Sequence, residues 1–439
     1  MNPRSHPVRA GVSFIEALRF WVKLGFINFG GPAGQIAIMQ NELVDNKRWI
    51  SQNQFLRALN FCMILPGPEA QQLAIYIGWR LHGVLGGIVA GAFFVIPSIF
   101  VLFALSWMVA AASSVPAIQG LLYGVQPVVI AIVATAVLRI GKRVLCHWGL
   151  ALYAVGAFCA VRFLSISFPY VIAAAALSGI ILQRWWGNVF LSCELGPTAV
   201  ARLEDDKPTP KAYPAISRNL KLVALFLFLW AVPVGSIWLW RGNLDVLTQE
   251  AFFFTKAAFV TFGGAYAVLT YIADAGVNHY GWLDTAQMVQ GLGLAESTPG
   301  PLIMVTQYIG FLGAWKFHGA YDPLLYGALG ALITTYMTFL PCFFFIFLGA
   351  PYIELLSGNR RIQAALVGVT SAVVGVIMNL GVFFGEKVLF PAQGAFDYFA
   401  AGLAITSFGL SLKFHIPLHY LVPIGAISGM VWRLQGVQS

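Results

Sequence analysis

Lys23 and Lys256 each stand six residues before a Phe-Gly-Gly triplet, Phe29-Gly30-Gly31 and Phe262-Gly263-Gly264, inside otherwise apolar sequence. Each triplet is followed by a Pro-Gly-Pro, at Pro66-Gly67-Pro68 and Pro299-Gly300-Pro301. Proline lacks an N–H and glycine frees φ, so both motifs end helices. A helix that restarts beyond such a break aims its unpaired N–H groups and positive dipole end at the break. Four such ends make an anion receptor, with Gly30, Gly31, Gly34, Gly67, Gly263, Gly264 and Gly300 as its backbone donors. An isolated membrane lysine often carries its ammonium to the interface. A matched pair can instead set two positive charges against a divalent oxyanion. Arg57, which aligns with Gln290, is a third cation or an interface residue, and Gln71, Gln72 and Gln307 are neutral groups for the pathway. Glu69 follows Pro68 and Glu296 precedes Thr298-Pro299, so each is read either as a helix cap or as a buried acid that exchanges protons as the anion moves. Glu42 and Asp274 read as hydrated loop-end acids.

The elements that must hold these residues repeat. Both motifs recur at an offset of 233 residues, and on the same register Phe20 matches Phe253, Phe26 matches Phe259, Trp49 matches Trp282 and Gln54 matches Gln287. Hydrophobic residues make up 59% of the chain and charged residues 10%, against about 25% charged in a soluble domain, so the fold class is an all-α polytopic membrane protein. Apolar stretches long enough to cross a bilayer are expected at 86–108, 117–138, 147–163, 168–184, 220–240, 323–349, 362–385, 395–412 and 416–432, about nine spans. Segments 13–45 and 52–80, with their counterparts, are expected as four re-entrant helical hairpins. Broken backbone at membrane depth survives only where it is buried in protein or lines a wet cavity.

The chain divides into a first transporter repeat (1–186), a polar linker (187–218, with Glu204, Asp205, Asp206 and Lys207), an extra helix (219–241) and a second repeat (242–439). One extra span turns the second repeat over, giving two inverted-topology repeats. Loop charge agrees: Lys47-Arg48, Arg80 and Arg139 with Lys142-Arg143 share one side, while the second half places Arg360-Arg361 on the turn that matches the uncharged Ser113-Ser114. Lysine and arginine favour the cytoplasmic side, which puts the N-terminus and linker in the cytoplasm and the C-terminus in the periplasm. The net charge of +9 thus reads as orientation rather than nucleic-acid binding. No cleavable signal peptide is expected at Met1 to Gly11, and the five cysteines read as small core residues. His415 and His419 flank Pro417 without a carboxylate nearby, so no metal and no cofactor is expected. No GxSxG, Walker or HExxH motif is present, which argues against an enzyme.

At Phe29-Gly30-Gly31-Pro32-Ala33-Gly34-Gln35 and at Leu65-Pro66-Gly67-Pro68-Glu69-Ala70-Gln71-Gln72, with the shorter echoes Thr261-Phe262-Gly263-Gly264 and Ser297-Thr298-Pro299-Gly300-Pro301, the chain resembles the chromate ion transporter (CHR) family in its long, two-domain form. The resemblance implies export of chromate across the bacterial inner membrane, conferring chromate resistance, with sulfate as the structural mimic. The second half departs from the first at Glu69, where Leu302 stands. A sulfate or other oxyanion carrier remains the alternative of the same class, and an intramembrane enzyme or structural subunit the alternative of another. A homodimer is equally open.

Overall fold

The computed structural model describes residues 11–192, 215–353, 359–391, 395–414 and 416–436. The linker residues from Glu204 to Pro210, Cys193 and His415 lie outside them. Among the described residues the secondary structure is helical. In lipid a helix is the one open-chain element that satisfies its own backbone. The helices are α1 (Phe14–Ile27), α2 (Gly31–Gln40, continued by a π turn to Asn46), α3 (Gln52–Ile64), α4 (Glu69–Ala111), α5 (Pro116–Val144), α6 (Trp148–Arg162) and α7 (Phe168–Ser192). The second half supplies α8 (Ile216–Arg241), α9 (Val246–Phe259), α10 (Ala265–Asp274, continued by a π turn to His279), α11 (Thr285–Ser297), α12 (Val305–Lys316), α13 (Pro323–Gly349), α14 (Arg360–Leu389), α15 (Tyr398–Lys413) and α16 (Leu418–Gly436).

Six of these helices, α4, α5, α7, α8, α13 and α14, are long and apolar enough to cross a membrane. The stretches expected as spans at 147–163, 395–412 and 416–432 fold as α6, α15 and α16, which are helical but outside that set. The segments around the Gly and Pro motifs are short: α1, α2 and α3 have 14, 10 and 13 residues, and α9, α10 and α11 have 14, 10 and 13. At 1.5 Å per residue each covers at most about 21 Å, less than the hydrocarbon core of about 30 Å. α4 is itself broken at His82 and Gly83, whose backbone is non-helical, so the stretch after Pro68 is also short before the long span begins.

The matched residues have structural reasons. Ser51 with Gln54, and Asp284 with Gln287, form capping boxes that start α3 and α11, a reciprocal satisfaction of orphan donors. Phe20 meets Trp49 edge-on at 5.4 Å, and Phe253 meets Trp282 edge-on at 5.5 Å.

The halves exchange their terminal helices. α15 and α16 of the second half pack on α5 of the first, while α6 and α7 of the first half pack on α14 of the second. Glycine allows these close approaches, as at small-residue interfaces of membrane helices. A Cβ on Gly124 would fall on the Gly425 carbonyl and lie 2.8 Å from Gly429 N, and one on Gly375 would fall on the Ala154 carbonyl. Gly124→Ala is therefore expected to destabilise the protein by about 1–3 kcal/mol, the usual cost of overpacking. Gly402→Ala, where a Cβ meets nothing within 4 Å, is its control. Thermal unfolding in detergent should show a lower midpoint for the first and no comparable fall for the second.

α8 faces outward. Leu220, Leu225, Phe228 and Leu239 are exposed along it, as a lipid-facing helix requires. Cys62, Cys159 and Cys342 are free thiols, but Cys146 is disulfide-bonded. That corrects the reading of all five cysteines as core residues, because spacing alone does not reveal pairing.

Candidate functional site

The four breaks meet inside the bundle and bond across the halves. Gly67 N–H donates to the Thr261 carbonyl at 2.8 Å, and Gly300 N–H donates to the Asn28 carbonyl at 3.2 Å. Asn28 and Thr261, like Gly67 and Gly300, stand 233 residues apart, so each Pro-Gly-Pro pairs with the Phe-Gly-Gly of the other half. The local turns match as well. Phe29 N bonds Ile27 O and Phe262 N bonds Val260 O, both at 2.9 Å, while Leu65 N bonds Cys62 O at 3.2 Å and Thr298 N bonds Ala295 O at 3.3 Å.

The long helices complete the exchange. Ser98 of α4 hydrogen-bonds the Pro299 carbonyl and occupies the place where a Cβ on Gly300 would go. A Cβ on Gly67 would lie 3.0 Å from Cys342 Sγ of α13. Ser98 and Cys342 are 244 residues apart, and each follows a helix-interior proline, Pro97 and Pro341. Side-chain amides brace the same junction. Gln35 donates to the carbonyls of Asn28 at 2.9 Å and Gly300 at 2.6 Å, Asn28 donates to Phe94 O at 3.3 Å, and Gln72 donates to Pro66 O at 2.7 Å. Gln71 reaches Gly91 O at 3.4 Å and Gln307 reaches Ile99 O at 2.8 Å.

The glycines expected to act alike fall into two groups. Gly67 and Gly300 are buried, with φ of 130° and 125°, and their N–H groups are consumed by the cross-half bonds, so in this conformation they lock the breaks together. Gly31 and Gly264 are half-buried and look into space. A Cβ on Gly31 meets nothing within 4 Å, and one on Gly264 meets only Glu69 Oε1, at 3.7 Å. Gly30 is similarly open, whereas a Cβ on Gly34 would lie 3.1 Å from the Phe29 carbonyl and one on Gly263 would lie 2.8 Å from Val373. What the lock leaves unpaired are acceptors: Asn28 Oδ1, Gln35 Oε1, Gln71 Oε1 and Gln72 Oε1 are buried without a partner.

Glu69 and Glu296 do not align in sequence, and each touches a residue near the start of α10 in a different way. Glu69 stands against Gly264, the residue before α10, while Glu296 accepts a hydrogen bond from the hydroxyl of Tyr266 in the first turn of α10. Arg139 of α5 acts electrostatically on both members of the Tyr266–Glu296 pair. Tyr266, Arg139, Asn28, Gln35 and Ser98 were not singled out from sequence. The signal that could have found Ser98 is the Pro97/Pro341 match at the offset of 244.

The two lysines are not among the tips. Both are exposed, and Lys23 Nζ lies 3.6 Å from Glu42 Oε1. Phe26, one turn beyond Lys23, is 61% exposed, whereas Phe20, Trp21 and Leu24 are buried. The lysine therefore stands on the outward face of α1. Arg57 is half-buried on α3.

One cavity of about 400 Å³ is apolar and lies beside the junction between Ile64, Phe262 and Val369, with Arg361 on its wall. Another, of about 660 Å³, has a mixed lining and runs along α5 and α11 past Tyr123, Gln126, Gln287, Gln290 and Arg433. Among the described residues no group of three or more His, Cys, Asp or Glu is arranged to hold a metal.

A family model described as chromate transporter matches residues 15–180 and 248–430. The chromate transport protein of Pseudomonas aeruginosa is 31% identical over 90% of this chain and 87% of its own length. A probable chromate transport protein of Synechococcus elongatus is 28% identical over 97% of both chains, and the chromate transport protein of Cupriavidus metallidurans is 28% identical over 91% of this chain and 88% of its own. No solved structure matches. With both matched segments containing a complete pair of helix breaks, this multi-pass membrane protein belongs to the chromate transporter family.

Proposed function

We propose that this chain is a secondary transporter that exports chromate from the cytoplasm across the bacterial inner membrane and so confers chromate resistance. The observation that carries the reading is the meeting of the four helix breaks across the two halves, with Glu69 of the first half beside Gly264, the residue before α10. A helix N-terminus at a break is an anion site. Here a carboxylate oxygen of Glu69 stands where an oxyanion oxygen would bind. The substrate and Glu69 then compete for one place, and protonation of Glu69 lets the anion in.

The reading assigns residues 1–186 and 242–439 as inverted repeats, 187–218 as a cytoplasmic linker and 219–241 as the inverting helix. The N-terminus is cytoplasmic and the C-terminus periplasmic. Its support is the loop-charge pattern together with the reciprocal bonds Gly67–Thr261 and Gly300–Asn28, since mutual contacts between equivalent residues are what a two-fold relation produces. The paired tips form the closed state. Rocking of one repeat against the other breaks the pairing, frees the N–H groups of Gly67 and Gly300 for the anion, and exposes it to each side in turn. Gly30, Gly31, Gly34, Gly263 and Gly264 line the opened site with Gln71 and Gln72. Lys23, Lys256 and Arg57 supply positive charge at its approaches.

The test is uptake of labelled chromate into everted membrane vesicles from cells that express the chain, with excess sulfate as competitor. Energised uptake that sulfate blocks only weakly is the expected result. Uptake of sulfate in preference to chromate would favour the sulfate carrier, and no uptake of either above empty vesicles would overturn the transport reading. Lys23→Ala and Lys256→Ala are expected to lower the rate by about tenfold or less, as removal of steering charges does. Unchanged uptake in both variants would remove the lysines from the pathway.

A further inference from the structure

Glu250 lies in α9, is 0% exposed, and neither carboxylate oxygen has a hydrogen-bond partner. Among the described residues it is the one acid buried in this way. Its Oε1 fills the notch left by Gly313 of α12, where a Cβ would come within 2.6 Å of it and 3.1 Å of Trp282. Removing an ionised carboxylate from water without a partner costs many kcal/mol, so the group is neutral here.

The surroundings hold a cation that is already committed. Arg241, at the end of α8, binds Asp245 at 2.9 Å, and the Tyr326 hydroxyl of α13 bridges Arg241 at 2.8 Å and Asp245 at 2.7 Å. Asp245 is also close enough to act electrostatically on Glu250. From α12, Lys316 is turned away to the Gly281 carbonyl at 2.7 Å, and the groups that α12 and the 281–284 turn set against the carboxyl, Gly313 and Trp282, do not titrate. Asp245 thus holds the guanidinium, and Glu250, next along α9, has no cation bound to it. The Arg241–Asp245 pair is itself partly open, with 20% and 9% side-chain exposure, so water reaches the cluster's edge.

We infer that Glu250 is a proton-carrying site of the transport cycle, loaded from the side of the membrane on which Arg241 and Asp245 lie. The inference rests on the transport reading above, which puts that side in the periplasm. A proton from periplasmic water adds to the Glu250 carboxylate before α9 closes on Gly313. It leaves toward the cytoplasm when the seam between α9 and Gly313 opens and the carboxylate is hydrated. One proton enters and one leaves per cycle, with no other bond made or broken. α9 carries the change to the anion site, because it runs unbroken from Glu250 to Phe259, just before Phe262-Gly263-Gly264. A rigid helix whose one end packs differently when a buried group is charged or neutral is the kind of element through which coupling is physically transmitted.

The experiment compares Glu250→Gln with wild type in everted vesicles, whose lumen is the periplasmic face. Two readouts are taken: chromate uptake driven by an acid lumen, and exchange of labelled for unlabelled chromate, which moves no net proton. Expected are exchange within about twofold of wild type and a loss of about tenfold or more in proton-driven uptake, the size of a typical linkage effect. Proton-driven uptake at the wild-type rate would overturn the proposal and leave Glu250 as a neutral packing group. Should the variant not reach the membrane, the wild-type protein is treated with dicyclohexylcarbodiimide, which modifies buried protonated carboxyls, and Glu250 is followed by mass spectrometry. Modification in step with loss of proton-driven uptake, exchange being retained, supports the site. An unreactive Glu250, or full modification without loss, overturns it. Failure of exchange in untreated wild type would instead count against the transport reading itself.

Discussion

Gly300→Ala is expected to abolish transport and to lower the stability of the protein by about 2–5 kcal/mol, the sum of a strained left-handed backbone and an overpacked contact. Its φ is 125°, which alanine adopts poorly, and the new methyl group would fall on Ser98 Oγ with Ser98 Cβ only 2.9 Å away. Ser98 cannot swing aside without giving up its bond to the Pro299 carbonyl. The cross-half bond from Gly300 N–H to Asn28 would part as well. Ser98→Gly in the same chain removes the clash but not the φ strain, so the double variant should recover part of the lost stability and measurable transport. Ser98→Ala alone should cost only about 0.5–1.5 kcal/mol for its hydrogen bond. Gly67→Ala is the milder counterpart. Its φ is 130°, but its nearest neighbours are the mobile end of Gln72 at 2.7 Å and Cys342 Sγ at 3.0 Å. Thermal unfolding in detergent beside vesicle uptake checks the series, and a Gly300→Ala protein with wild-type stability and rate would show that the lock is dispensable.

The repeat was legible because it lies in strong, local signals. Gln54 and Gln287 are the N3 residues of two capping boxes, and Phe20–Trp49 and Phe253–Trp282 are equivalent ring contacts, so backbone needs preserved both sets at one offset. The breaks were legible for the same reason: Gly and Pro act through the backbone, and sequence reports backbone constraints well. What sequence could not give is which half a break faces. Because each Pro-Gly-Pro bonds the residue just before the other half's Phe-Gly-Gly, Glu69 of the first half comes to stand beside Gly264 of the second. Ser98 and Cys342 fall on a different offset from the tips they cover, so a search at a single register passes over them. The lysines mark the opposite limit. Equal spacing singled out Lys23 and Lys256 but does not give direction; helix phase does, and the face that carries Lys23 also carries exposed Phe26. Glu250 has Ala17 at its matching position, so no repeat signal pointed to it.

Glu69→Gln is expected to tighten chromate binding. The Glu69 carboxylate and an anion bound at the start of α10 share one small space, since Oε1 stands 3.7 Å from the position of a Cβ on Gly264. Two unit charges about 5 Å apart repel by roughly 3 kcal/mol at an effective dielectric of about 20, a factor on the order of a hundred in affinity. Glu69 is partly exposed, so solvent screening lowers that figure, and a fall in apparent KM of about tenfold is the expected result. The sign follows from the charge: the neutral glutamine removes the repulsion that the carboxylate exerts on the anion. Tight binding then slows release, and maximal uptake should fall while exchange at saturating chromate persists. Glu296→Gln is predicted to act differently, because Glu296 accepts from the Tyr266 hydroxyl whereas Glu69 stands beside Gly264. Its glutamine can still accept that bond, so KM should move little and any loss should appear in the rate. KM and maximal rate measured across pH for the two variants separate these roles. A raised KM in Glu69→Gln would mean that the carboxylate holds the site open rather than occupying it.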